Sequence, residues 1–119
     1  MTVNYVISRM KPYNYGKYDD RQLIEWLNEL DDKIHETVMK QYTDGPAGDF
    51  EPHTGGEDNL IIPFMFFDVY RYYLAAKIYE ANGEGTAYNN ALTAFTSEYN
   101  GYCNWYRMRH EPKSTNITF

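Results

Sequence analysis

The fold is decided by residues 64–110, which read FMFFDVYRYYLAAKIYEANGEGTAYNNALTAFTSEYNGYCNWYRMRH. Apolar and aromatic residues recur there at intervals of three and four, on both sides of one turn from Asn82 to Gly85. Glycine after asparagine commonly ends a helix, and so short a turn joins antiparallel neighbours. The stretch therefore predicts a helical hairpin whose second helix is capped by Thr86 and ends near His110.

This hairpin carries more aromatic side chains than so small a unit can bury alone. Tyr, Trp and Phe combine a large apolar area with a polar atom and are favoured at protein interfaces. We therefore expect part of this surface to contact other chains, with core packing as the equal alternative for each aromatic residue. The interface candidates of the whole chain are Trp26, Tyr70, Tyr73, Trp105, Tyr106, Arg107, Arg109 and Phe119.

Two further helices are predicted upstream of the hairpin. Thr2 can cap a short helix that ends before Pro12, and Asp19 or Asp20 can cap a long helix that runs to Val38. The long helix has the clearest apolar stripe of the chain, formed by Leu23, Ile24, Leu27, Leu30, Ile34 and Val38. The expected fold is all-α: a small four-helix bundle that ends in the hairpin, with Pro63 in the first turn of the third helix.

The remaining segments are a loop and a tail. Residues 43–59 are rich in Gly, Pro, Asp and Glu, which predicts a long, exposed, acidic and mobile loop that orders on assembly. A tolerated surface insertion is the alternative. Residues 1–112 are expected to form one helical domain, and residues 113–119 an extended tail.

Composition excludes several classes of function. Seventeen acidic residues against eleven basic ones give a formal net charge of -6, which disfavours binding to nucleic acid or to an anionic membrane. No window reaches the roughly 20 apolar residues of a membrane span. Cys103 is the only cysteine, so it can form no intrachain disulfide, and a reducing compartment is the simplest location.

No catalytic, cofactor or metal site is expected from the motifs. Asp32 and His35 have the spacing of half a metal site in a helical bundle, but the other helices offer no matching pair. The loop lacks the order of ligands in an EF-hand, and Cys103 has no histidine next to it in sequence. An enzyme that uses Asp32 with His35 stays open as a lesser alternative.

Two blocks of sequence resemble a family of small proteins encoded among the head genes of tailed bacteriophages of Firmicutes and related gut bacteria. Residues 21–31, RQLIEWLNELD, are similar to that family's "WLSELD" helix. Residues 62–90 resemble its pattern "P-x-x-x-x-D-x-Y-x-x-Y-L-x-A-K-I-x-x-x-N-G-E-x-x-x-Y-N-N", and residues 106–110 extend the likeness. The chain departs from the family in its long acidic loop and at residues 64–67.

The resemblance implies a structural virion protein with no active site, a head-tail connector or adaptor in the neck of the particle. Such a protein is made in the host cytoplasm and assembles as a dodecameric ring below the portal. It contacts the portal and the tail proteins, and DNA passes through its lumen without sequence-specific binding. The alternative is a helical interaction or regulatory domain of phage origin that is not part of the virion.

Overall fold

The computed structural model describes residues 1–113. Its helices are α1 (Val3–Ser8), α2 (Lys11–Asn14), α3 (Asp20–Thr37), α4 (Phe67–Asn82) and α5 (Gly85–Arg109), with 3-10 turns at Met39–Gln41 and Phe64–Phe66. The all-α class is confirmed. Within residues 1–113 the α-helices number five rather than four, because α2 forms one additional turn that begins just before Pro12.

The long amphipathic helix α3 begins and ends where the sequence predicts. The Asp19 side chain caps it by accepting a hydrogen bond from the Gln22 N–H at 2.9 Å. Its apolar stripe is at most 1% exposed at Leu23, Leu27, Leu30 and Ile34. Truncation of one such leucine to alanine typically costs about 2–5 kcal/mol, so this stripe anchors the core.

The helical hairpin is confirmed as α4 and α5. Gly83 has a φ of +74° and ends α4, because its N–H and that of Glu84 bond back to the carbonyls of Glu80 and Tyr79. The turn leads straight into α5, which begins at Gly85. The prediction that Thr86 caps this helix is therefore wrong, and the preceding Glu84 supplies no side-chain cap either.

The start of α4 also differs from the prediction. Pro63 lies in extended conformation before the 3-10 turn Phe64–Phe66, and α4 itself begins only at Phe67. The turn places Phe64 against α1 and Phe66 against α5, so the chain makes two separate aromatic contacts before the helix starts. These two contacts pack the end of the hairpin that lies opposite the turn against both α1 and α5.

The core lies between α1, α3 and α4, and α5 covers it from one side. In α4 six residues are buried, whereas the 25 residues of α5 bury only Ala91, Tyr102 and Tyr106. The longest helix therefore leaves most of its surface in contact with solvent. Any partner surface is more readily formed by α5 than by the enclosed α4.

Candidate functional site

A buried polar cluster joins α3, α4 and the loop between them. The Asp31 carboxylate is 0% exposed and accepts three hydrogen bonds. The Tyr70 hydroxyl donates to one oxygen at 2.6 Å, while the His53 Nε2 and the Ile61 N–H contact the other at 2.7 and 3.1 Å. The Tyr70 oxygen in turn accepts from the Ile62 N–H at 2.9 Å.

Electrostatics keep the hydroxyl of this cluster protonated. Burial raises the pKa of Tyr70 well above its ordinary value, and the charge of Asp31 raises it further. Tyr70 is therefore a fixed hydrogen-bond donor to the carboxylate. With every acceptor occupied and the carboxylate shielded from solvent, the arrangement suits a structural role rather than turnover of a substrate.

The cluster holds the acidic loop against the helices. The Asn28 side chain pairs with the backbone of His53, accepting from its N–H at 2.8 Å and donating to its carbonyl at 3.0 Å. At the start of the loop, His110 from the end of α5 lies 2.6 Å from an Asp44 carboxylate oxygen. His35 packs edge-on against Phe50 with ring centres 5.8 Å apart.

All three histidines of the chain thus contact this loop or belong to it. The loop has no helix or strand, yet the single chain anchors it at several points. The expectation of a mobile loop that orders only on assembly is therefore corrected. The physical reason is that a buried carboxylate needs donors: His53 of the loop supplies one, and Ile61, just after the loop, supplies another.

The sequence motif Asp32 with His35 does not form a joint site. Asp32 is exposed, whereas His35 is buried and its Nδ1 lies 3.2 Å from the Glu36 carboxylate. Within residues 1–113 no cluster of three potential His, Cys, Asp or Glu metal ligands is found. Burial raises the pKa of the Cys103 thiol, which makes it a poorer nucleophile at neutral pH.

The predicted interface residues divide between core and surface. Tyr70 and Tyr106 are 0% and 6% exposed, so both belong to the core and neither presents its side chain to a neighbour. The aromatic candidates Trp26, Tyr73 and Trp105 are partly buried. The two cationic candidates, Arg107 and Arg109, are exposed. Phe119 lies outside the described residues.

An apolar surface at one end of the hairpin was not foreseen. Phe64, Met65 and Met108 are 62%, 68% and 80% exposed. They adjoin a row of partly buried aromatic rings, because Phe64 contacts Tyr5 and Phe66 contacts Trp105, with ring centres 5.5 and 5.4 Å apart. We call this surface the end ridge; its members are Tyr5, Phe64, Met65, Phe66, Trp105 and Met108.

An arginine flanks the end ridge on each side. The Arg9 guanidinium lies 4.4 Å from the centre of the Tyr5 ring, and that of Arg109 lies 4.8 Å from the centre of the Trp105 ring. Within residues 1–113 neither arginine forms an ion pair with a carboxylate. Their positive charge is therefore available beside the apolar row.

The opposite end of the hairpin has a concave surface. Tyr79, Glu80, Gly83, Glu84, Gly85 and Tyr88 line a depression of about 210 Å³ at the turn. A second depression of about 250 Å³ adjoins it through the shared residue Tyr79 and is lined by tyrosine and alanine side chains together with Asn90. We call the pair the turn groove. It is apolar at its base and carries the carboxylates of Glu80 and Glu84.

Comparison with known proteins identifies no relative of this chain. No protein-family model, curated protein or solved structure matches this chain. Within the described residues no helix is both long enough and apolar enough to span a bilayer. The phage-family resemblance therefore rests on the two sequence blocks alone.

The sequence predicts neither the cluster nor the end ridge as a whole, although Trp105 of the ridge is one of the interface candidates. A signal for the cluster was present, because Asp31 follows Leu27 by four residues and so falls on the apolar face of α3. A carboxylate at such a position needs buried donors. The end ridge had no comparable signal, since Phe64 and Met65 read as part of an ordinary apolar run.

Proposed function

We propose that this chain is a structural protein of a tailed-phage virion, a head-tail connector or adaptor without enzymatic activity. The observation that carries the proposal is the end ridge. Monomeric proteins rarely leave an aromatic and methionine surface of this kind uncovered, and such surfaces commonly mark protein contacts. The resemblance of the two sequence blocks then selects connectors among the possible assemblies.

In this proposal α1, α3, α4 and α5 form a small four-helix bundle that repeats around a ring of twelve copies below the portal. Each copy presents one surface and receives another, so the interface between copies is heterologous and the ring must close. Other faces contact the portal and the tail proteins in the neck of the virion. A regulatory domain that never enters the particle is the competing function.

The acidic face of α3 gives the lumen of such a ring a physical role. Glu25, Glu29 and Asp32 are exposed, and carboxylates facing passing DNA repel its phosphates and prevent adhesion. The triple variant E25Q/E29Q/D32N should slow genome ejection. The matched control T93K/T96K/N100K changes the net charge by the same amount on the exposed face of α5 and should leave ejection unchanged. Equal ejection rates for both variants would remove this assignment.

A truncation tests whether the C-terminal tail takes part in the connector function. Deleting residues 114–119 keeps the hydrogen bond from the Lys113 N–H to the Gln41 carbonyl at 2.8 Å, so the described fold is preserved. If the tail docks on the portal or a neighbour, the phage should produce filled heads that lack tails. A Gly/Ser segment of the same length serves as the control for spacing. Normal infectious particles from the truncated gene would contradict docking of the tail.

A further inference from the structure

The two unexplained surfaces of the hairpin are complementary. The end ridge projects apolar side chains between two arginines, and the turn groove is an apolar depression that carries two glutamates. We infer that the end ridge of one copy docks in the turn groove of a second copy. This inference deepens the proposed function and rests on it for its biological setting, whereas the contact itself rests on the structure.

The apolar part of the contact follows from exposure and shape. Met65 and Met108 are 68% and 80% exposed, and their flexible side chains adapt to irregular depressions. The turn groove offers tyrosine faces, with which methionine sulfur interacts favourably. Burial of these side chains removes from water the most exposed apolar area of this end of the molecule.

The charged part of the contact follows from the position of Glu80. This residue lies in the last turn of α4, where the helix dipole disfavours a carboxylate, and α4 has no basic residue in that turn. The nearest preceding cation, Lys77, lies 3.3 Å from Glu29. Lys77 therefore serves two carboxylates, since it also attracts Glu80, and an arginine of a neighbouring copy would add a second positive charge beside the exposed Glu80.

The same observations favour a second copy over other occupants. An anionic lipid surface would attract the two arginines but would be repelled by the remainder of a chain with a net charge of -6. A different acidic protein would fit the end ridge, yet it would leave the turn groove without an occupant. A second copy accounts for both surfaces at once.

The contact cannot form within one chain. The antiparallel helices α4 and α5 place the end ridge at one end of the hairpin and the turn groove at the other. In the ring of the proposed function, each copy uses its ridge on one neighbour and its groove on the next, so the docking is heterologous and the ring has to close.

Charge reversal separates this contact from non-specific association. The ridge variant R9E/R109E and the groove variant E80R/E84R each place like charges on both sides of the contact. We expect the wild-type protein to self-associate with rising concentration in sedimentation equilibrium. Each variant alone should associate about 100-fold more weakly, since like charges placed together cost several kcal/mol.

Mixing the two variants is the decisive step. The acidic ridge of one variant then meets the basic groove of the other, and its acidic groove meets the basic ridge, so association should return to near the wild-type level. Thermal unfolding of each variant serves as the control for folding. The variant M65N, which adds no charge and keeps both arginines, should also weaken association.

Three results would overturn the inference. The first is a wild-type protein that stays monomeric up to about 1 mM. The second is association of the single charge-reversal variants at the wild-type level. The third is a mixture of the two variants that associates no more strongly than either variant alone. Ridge-dependent co-sedimentation with anionic vesicles, without self-association, would also overturn it in favour of a lipid surface. If the protein associates through these charges but is absent from virions, the contact is supported and the connector function is contradicted. If it is present in virions but does not associate in this way, the connector function is supported and the contact is contradicted.

Discussion

Replacing Tyr70 with phenylalanine removes one hydroxyl from the centre of the molecule and keeps the ring. The hydroxyl is the donor to Asp31 at 2.6 Å and the acceptor for the Ile62 N–H at 2.9 Å. Both partners remain buried in the variant, because Asp31 and Ile62 are 0% exposed. The change therefore leaves one carboxylate oxygen and one backbone N–H without their present partner.

The expected loss of stability follows from these two groups. A hydrogen bond to a charged group contributes about 1.5–3 kcal/mol, and a buried unpaired N–H costs about 1–3 kcal/mol. We expect the free energy of unfolding to fall by about 3–5 kcal/mol in total, a large part of the roughly 5–15 kcal/mol typical of a domain. The corresponding fall in Tm is about 12–20 °C.

Urea unfolding followed by circular dichroism measures this loss. The matched control is Tyr72→Phe, a partly buried residue whose hydroxyl accepts from the adjacent Arg71 side chain at 3.0 Å. That control should change stability by no more than about 1 kcal/mol. If Tyr70→Phe is no more destabilising than Tyr72→Phe, the buried cluster does not contribute what its geometry implies.

Three other predictions concern the loop, the buried phenol and the cysteine. Asn28→Ala removes both side-chain hydrogen bonds to the backbone of His53, so limited proteolysis should cleave the loop faster in this variant. The control is Asn100→Ala, which changes an exposed asparagine of α5. Equal cleavage rates in the two variants would contradict the anchoring of the loop by Asn28. Above about pH 10 an unfolded tyrosine loses a proton that folded Tyr70 keeps, so the free energy of unfolding should fall as pH rises. Tyr70→Phe should make this dependence on pH less steep by about 1.4 kcal/mol per pH unit. An unchanged dependence on pH would count against the raised pKa of Tyr70. Because burial raises the pKa of Cys103, iodoacetamide should modify the native protein more slowly at pH 7.5 than the urea-unfolded protein; equal rates would show that the thiol is neither shielded nor shifted.

Local sequence patterns were sufficient to predict the main helices but not the exact residues at which they begin. The Asp19 cap and the stripe of α3 are encoded within a few turns of chain, and so is the glycine that ends α4. The N-cap of α5 is Glu84, two residues before the predicted cap Thr86, because the turn's own hydrogen bonds rather than a capping side chain fix the start of this helix. Pro12 ends the first helix in the prediction, but in the structure it lies in the first turn of α2, where proline is tolerated.

Contacts distant in sequence escaped prediction. His53 meets Asp31 across 22 residues, and Tyr70 meets it across 39, so no local period reveals either pairing. Composition described the loop as polar and glycine-rich without showing that α3 holds it. Similarly, the end ridge forms only because α1, the 3-10 turn and the end of α5 converge, which depends on the tertiary fold.

The most direct test of the connector function is a quantitative mass-spectrometric inventory of purified particles from the source phage, or from an induced lysate if the gene lies in a prophage. The connector function predicts that this chain is present in an amount comparable to that of the portal protein. Absence of the chain from tailed, DNA-filled particles would contradict that function and would favour a regulatory or assembly-only role.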